Sequence, residues 1–255
     1  MLRIIETGKI KRFTHTNTRR SLPDISWRFQ YCRCEDADIE KASNGAVKGR
    51  FINCGQSCIA SKRFIAVKKI SNEFIEKFTQ KAEKLKVGDP MSDDTDIGPL
   101  VNAEGLNKID SIVKDVVKEG AEVLTGGERI KSKGYFYKPT VLKNVSPKMR
   151  VAREVFGPMA PIMVADDDMQ AIKLANDSQY GLGASIWTED LDKAEKLSRM
   201  VQSGVVSVNN IVASDPRVNN IVASDPRVPF GGVKKSGFGR VIKIWYARVC
   251  QYQVS

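Results

Sequence analysis

Phe64-Ile65-Ala66-Val67 is followed by Ser71, Phe74, Phe78 and Leu85, and the run closes on Gly88 and Pro90. The first four residues form an apolar segment of strand-forming types. The residues after Ser71 recur on one helical face until the Gly and Pro break it, so the stretch predicts a buried strand followed by a helix. Working outward, the same grammar repeats. A second amphipathic helix carries Leu106, Ile109, Val113 and Val116 and stops at Gly120, after which Val123-Leu124 begins a short strand. Residues 137–142 and 161–165 read as strands, 169–175 as a helix and 184–188 as a strand. Residues 191–201 read as a helix closed by Gly204, and 205–208 as another strand. Such alternation predicts an α/β fold, a mostly parallel sheet flanked by helices.

Toward the amino terminus the pattern fades. Residues 1–34 show neither helical nor strand periodicity, and Thr14-His15-Thr16-Asn17-Thr18-Arg19-Arg20 is polar loop chemistry, so no packed element is expected there. This leader holds eight Lys/Arg against Glu6 and Asp24, which is +6 of the formal +11; residues 241–255 add Lys243 and Arg248, leaving +3 for residues 35–240. A nearly neutral body with basic ends lacks the charged face that nucleic-acid binding requires, and nucleic acid is not an expected partner.

The chain has 255 residues, 42% of them hydrophobic, and five cysteines. That composition suits a folded protein of one or two domains and excludes disorder throughout. An odd number of cysteines in a chain of this length argues against a secreted disulfide scaffold. No apolar run approaches the roughly 20 residues that span a bilayer, and residues 1–8 lack a signal peptide's apolar stretch. The expected location is therefore the cytoplasm, away from membranes. One internal repeat stands out: Val208-Asn209-Asn210-Ile211-Val212-Ala213-Ser214-Asp215-Pro216-Arg217 recurs unchanged over residues 218–227. A solenoid needs longer units and at least about three copies, so the doubled decamer reads as a recent tandem duplication in the gene.

Chemistry concentrates in Phe51-Ile52-Asn53-Cys54-Gly55-Gln56-Ser57-Cys58, two thiols in a Gly-containing loop where backbone N–H groups lower a thiol pKa. Free Cys is among the most buried residue types, so spacing alone favours a structural role for Cys58. Context reverses that. Gly55-Gln56-Ser57-Cys58 is followed by Gly88-Asp89-Pro90, Thr95-Asp96-Ile97-Gly98-Pro99-Leu100, and Gly134-Tyr135-Phe136 with Pro139-Thr140-Val141-Leu142. Then come Glu154-Val155-Phe156-Gly157-Pro158, Ala175-Asn176-Asp177 with Tyr180-Gly181-Leu182, and Val206 to Asn209. Last is Pro229-Phe230-Gly231-Gly232-Val233-Lys234-Lys235-Ser236-Gly237-Phe238-Gly239-Arg240. In identity, order and separation this set resembles the NAD(P)-dependent aldehyde dehydrogenase superfamily over about residues 35–240. The wording Ser224-Asp225-Pro226-Arg227-Val228 looks most like the succinate-semialdehyde dehydrogenase-like members.

The resemblance implies that Cys58 attacks an aldehyde carbonyl, that the alkoxide passes a hydride to NAD or NADP, and that water releases the thioacyl enzyme as a carboxylate. Cys58 N–H would contribute to the oxyanion hole. By the same resemblance Glu154 holds the nicotinamide ribose and Phe156 packs near the nicotinamide, while Cys54 is a small core residue. Ser224 and Arg227 would hold a substrate carboxylate by paired hydrogen bonds, with loop solvation or a structural salt bridge as the alternative. No metal ligand set is expected. A cofactor-independent thiol enzyme would need a His near Cys58, and the one His is His15, in the polar leader.

The family also carries a dinucleotide-binding domain ahead of the nucleophile and a general base in a Glu-Leu-Gly-Gly run. Residues 1–57 contain neither that run nor room for that domain. The expectation is a catalytic-domain fragment without NAD(P)-dependent aldehyde oxidation of its own, binding the cofactor poorly. The alternative is a non-enzymatic partner that docks on an intact homologous subunit. After Arg240 the residues Val241-Ile242-Lys243-Ile244-Trp245-Tyr246-Ala247 continue to Val254. One nucleotide string encodes Arg240 to Val254, and read one base later it gives Glu-Leu-Ser-Lys-Tyr-Gly-Met-Leu-Glu-Phe-Ala-Asn-Ile-Lys, the family's usual continuation. Residues 241–255 are therefore expected to be a frame-shifted tail in place of the strand used in subunit pairing. Ser26-Trp27-Arg28-Phe29 gives Leu-Gly-Gly by the same shift, which makes 1–34 a second candidate for scrambling, with Cys32, Cys34 and Cys250 in ends that fit no fold.

Overall fold

The computed structural model describes residues 29–152, 155–211 and 231–237. Seven strands form one sheet in the order β3-β4-β5-β2-β1-β7-β8. They are β1 (Phe29–Arg33), β2 (Ser61–Val67), β3 (Glu122–Thr125), β4 (Thr140–Lys143), β5 (Met159–Ala165), β7 (Gly183–Trp187) and β8 (Val205–Val208). All neighbours run parallel except β3 against β4, and β6 (Tyr180–Gly181) pairs antiparallel with β9 (Val233–Lys234) in a separate ribbon. The helices are α1 (Ile39–Phe51), α2 (Lys68–Glu83), α3 (Ala103–Lys118), α4 (Asp168–Asn176) and α5 (Leu191–Met200). This is the α/β architecture the alternation predicts.

Most boundaries fall within a few residues of expectation, and the differences have local causes. The α2 helix starts at Lys68, and Ser71 is inside it, its hydroxyl donating back to Lys68 O at 3.0 Å. Strand β4 begins only at Thr140, after Pro139, which has no N–H for a ladder; Tyr137 makes an isolated bridge to Arg129 instead. The α1 helix, which the pattern did not signal, is capped by the Asp38 side chain accepting from Lys41 N–H at 3.0 Å.

The larger correction concerns residues 29–34. No packed element was expected before residue 35, yet β1 occupies the middle of the sheet, Tyr31 in register with Phe64 of β2 and with Ser185 of β7. Cys32 and Cys34 are 2% and 3% exposed and belong to the core rather than to an end without a fold. Periodicity misses such a strand because its place is set by two parallel neighbours offering unpaired N–H and C=O groups on both sides.

An aromatic cluster links this core to the nucleophile loop. Phe78 of α2 contacts Phe64 of β2, Phe74 of α2 and Phe51, the last residue of α1, with ring centroids 5.0, 5.6 and 6.3 Å apart. Such pairs add about 0.5–1.5 kcal/mol each beyond burial. Because Phe51 is anchored, the chain enters the loop from a fixed point.

Candidate active site

Between α1 and β2 the backbone makes an unusual turn. Asn53, Cys54 and Gly55 have φ values of 49°, 55° and 68°, three successive left-handed residues. For the two non-Gly residues this conformation costs about 1–3 kcal/mol each, so the surroundings must enforce it. At Gly55 the reason is steric: a Cβ there would lie 2.1 Å from Gly157 O. The close approach is itself a hydrogen bond, Gly157 N–H donating to Gly55 O at 3.2 Å. The loop before β2 is thus locked to the segment before β5.

Two buried cations complete the lock. Arg50, 1% exposed, donates from Nη1 to Ser61 O at 2.7 Å and from Nη2 to Val155 O at 3.2 Å and to Gly157 O. Burial pulls its pKa down to about 9, with neighbouring Cys54 opposing. Lys62, 2% exposed, donates from Nζ to Gly55 O at 3.0 Å and Ser57 O at 2.9 Å, and sits 4.1 Å from the centroid of the Phe156 ring. On the other flank Gln56 bridges to the third motif, accepting from Val101 N–H at 2.9 Å and donating to Pro99 O at 3.3 Å. Segments 53–58, 95–101 and 155–158, far apart in sequence, therefore meet.

Cys58 lies within this frame. Of the four cysteines among the described residues, Cys32, Cys34 and Cys54 are buried and Cys58 is partly exposed. Burial pushes the Cys54 thiol up to about 12, with Arg50 opposing, and Cys32 likewise to about 12, with Arg63 opposing; Cys34 also rises, by burial and then Asp168. Those three are held as neutral thiols, which leaves Cys58 as the accessible one. Its side chain packs with Ile59 against Val205 of β8. Next to Val205, Gly204 lies so close to Gly231 that a Cβ would be 1.7 Å from Gly231 O. The glycine-rich segment around Gly231 is held in turn by Lys234 Nζ donating to Asn176 O at 2.7 Å and Ser178 O at 2.8 Å, and by Ser236 Oγ accepting from Gly181 N–H at 2.9 Å. Two further motifs are thereby placed beside the first three.

Of the remaining expected site residues, Phe156 is 41% exposed beside the loop, its ring backed by Lys62. Glu154, Ser224 and Arg227 lie outside the described residues, as do most of the doubled decamer, His15, Cys250 and the tail 241–255. Arg50 and Lys62 were not singled out in the sequence. A signal existed for the second: Lys62 and Arg63 open a seven-residue strand buried at every position, where a charge needs a dedicated partner. Among the described residues no group of three or more His, Cys, Asp or Glu could hold a metal ion, and no helix is long and apolar enough to cross a membrane.

The sequence profile of the Aldehyde dehydrogenase family matches residues 32–253. The chain belongs to the aldehyde dehydrogenase family. The match begins inside β1, three residues before the quoted motifs suggested. The chain is 43% identical over 206 residues to the succinate semialdehyde dehydrogenase [NAD(P)+] of Escherichia coli (strain K12), covering 80% of this chain and 42% of that protein. It is 42% identical over 207 residues to a probable succinate-semialdehyde dehydrogenase [NADP(+)] of Synechocystis, covering 81% and 43%. Among solved structures, lactaldehyde dehydrogenase from Escherichia coli aligns with a TM-score of 0.78 at 32% identity, over 85% of this chain and 44% of that one. The NAD+ complex of an aldehyde dehydrogenase from Bacillus cereus aligns with a TM-score of 0.78 at 33% identity, over 85% and 42%. The chain thus spans less than half the length of the relatives it matches.

Proposed function

We propose that these residues supply the covalent half of an aldehyde dehydrogenase acting on a short carboxylated aldehyde, with Cys58 as the nucleophile. The observation that carries the reading is that Cys58 is the one described cysteine left partly exposed, in a loop locked by Arg50, Lys62 and the Gly55–Gly157 contact. A rigid loop presenting a thiol and its own N–H suits attack on a carbonyl, because the developing oxyanion needs donors already in place. The semialdehyde preference rests on the two succinate-semialdehyde dehydrogenase relatives and on Ser224 and Arg227 as carboxylate partners.

For NAD(P), the described residue that fits is Phe156. Lys62 holds one face of its ring, and the ring is exposed enough to pack on a flat nicotinamide. Glu154 is the proposed partner of the nicotinamide ribose hydroxyls. The cofactor, when bound, supplies the acceptor for the aldehyde's hydride. Hydrolysis of a thioacyl group needs a water-activating base, and residues 1–57 hold no Glu-Leu-Gly-Gly run to provide it. We therefore expect the 255 residues alone to acylate at Cys58 and to show no NAD(P)-dependent oxidation of succinate semialdehyde.

The test is to incubate the chain with p-nitrophenyl acetate and with iodoacetamide and map the adducts by mass spectrometry. Adducts confined to Cys58 support the nucleophile assignment, and adducts absent from it refute it. In parallel, absorbance of reduced cofactor is followed with succinate semialdehyde. Turnover of ordinary size that disappears in Cys58→Ala would overturn the expectation of inactivity. The frame-shift reading of residues 241–255 is tested by resequencing the gene: a frame one base later that does not encode the family's continuation after Gly239 ends it.

A further inference from the structure

Lys62 is a charged side chain placed almost completely out of water at the start of β2, and its ammonium reaches back along the chain to Gly55 O at 3.0 Å and Ser57 O at 2.9 Å. We propose that Lys62 is a positioning residue for the Cys58 reaction: by gripping the Ser57 carbonyl it aims the Cys58 N–H at the oxyanion formed on the carbonyl under attack. The proposal rests on the nucleophile reading above. Its geometry is that of a single peptide unit. The C=O of Ser57 and the N–H of Cys58 belong to one planar trans amide and point in opposite directions. Ser57 O accepts from Lys62 Nζ and, at 3.2 Å, from Ala60 N–H, so its direction is fixed twice. The Cys58 N–H is thereby directed away from Lys62. A charged donor on the carbonyl also polarises the amide and makes that N–H a stronger donor.

Lys62 has a second effect through Phe156. The ammonium is 4.1 Å from the ring centroid, a cation–π contact that ties the ring to the nucleophile loop. Aldehyde-side and cofactor-side elements are then referenced to one buried atom, Nζ of Lys62.

Two reactions of the same thiol separate this role from general damage. With p-nitrophenyl acetate the Cys58 sulfur forms a bond to the carbonyl carbon and an oxyanion develops. p-Nitrophenolate then leaves with the electron pair of the broken C–O bond, giving a coloured burst. With iodoacetamide the sulfur displaces iodide, and no oxyanion forms. In the 255-residue chain, Lys62→Met should slow the ester burst about 10- to 100-fold, while iodoacetamide labelling of Cys58 stays within about threefold of the parent. Lys62→Arg, which keeps a charged donor, should recover most of the burst. If Lys62→Met loses its circular-dichroism signature, Lys62→Gln carries the same comparison. An unchanged burst, or an equal loss in both reactions, overturns the assignment of Lys62 alone. A parent chain that labels at Cys58 but shows no burst overturns the nucleophile reading, and this one with it.

Discussion

The two ends of the parallel sheet are held together in different ways. At the amino ends of β2 and β5, Arg50 and Lys62 donate to main-chain carbonyls. At the carboxyl ends of β1, β5 and β7, side chains of opposite charge hold one another. Asp36 accepts from Thr188 Oγ1 at 2.6 Å, from Asp190 N–H at 3.1 Å and from Lys193 Nζ at 3.1 Å, and Lys193 lies 3.4 Å from Asp168. Open α/β sheets usually bind ligands at the carboxyl ends of their strands. Here that edge carries an ion-pair network, and the candidate nucleophile lies at the opposite edge. The lesson lies in the charge. At the amino ends the Arg50 and Lys62 donors end on main-chain carbonyls in and beside the loop that carries Cys58, whereas Lys193 at the other end bonds the side chains of Asp36 and Asp168.

The sharpest way to break the contrast is at Cys58. Cys58→Ser should abolish both the ester burst and iodoacetamide labelling at that position while leaving the thermal midpoint nearly unchanged. The next effect in size is on stability. Arg50→Met removes the buried donor shared by the carbonyls of Ser61, Val155 and Gly157, of which Gly157 O keeps Met159 N–H, and we expect a loss of about 3 kcal/mol in urea unfolding. Lys193→Met at the other end removes a pair whose side chains are 25–30% exposed, so the same measurement should register only about 1 kcal/mol.

Alkaline titration should separate the buried thiols from the Lys193 ion pairs by pH. The Cys54 and Cys32 thiols are raised by burial from 9.0 to about 12 in the folded chain. A raised folded pKa gives stability that is whole below pH 9 and is lost as pH climbs toward 12. Lys193 is lowered by burial, but its hydrogen bond to Asp36 and the charges of Asp168 and Asp36 outweigh this and raise it above 10.5. Its contribution is therefore intact until a higher pH. Unfolding midpoints measured from pH 8 to 11 should begin to fall near pH 9, and Cys54→Ala should reduce that early fall while Lys193→Met leaves it in place.

The helices and strands from β2 to β8 were legible because their apolar spacing serves one core, and Cys58 stood out as the candidate nucleophile because its loop carries the family's wording. What escaped was set by distant partners. Nothing local to Lys62 or Arg50 says that their charges end on carbonyls, and Arg50 reaches Val155 and Gly157 more than 100 residues away in sequence. Strand β1 escaped for the same reason, since β2 and β7 select it.

That strand has a consequence for how the protein reaches its fold. In the order β3-β4-β5-β2-β1-β7-β8, five residues of β1 form the seam between a four-stranded half and a two-stranded half. Its pairing of Phe29 with Gly183 closes a loop of about 150 residues, an entropic expense that local contacts do not offset. The two halves are therefore expected to form first and to wait for β1, so joining them is the slow step of folding. Until it happens each half presents an open strand edge, and crowded nascent chains are then most exposed to pairing with one another instead.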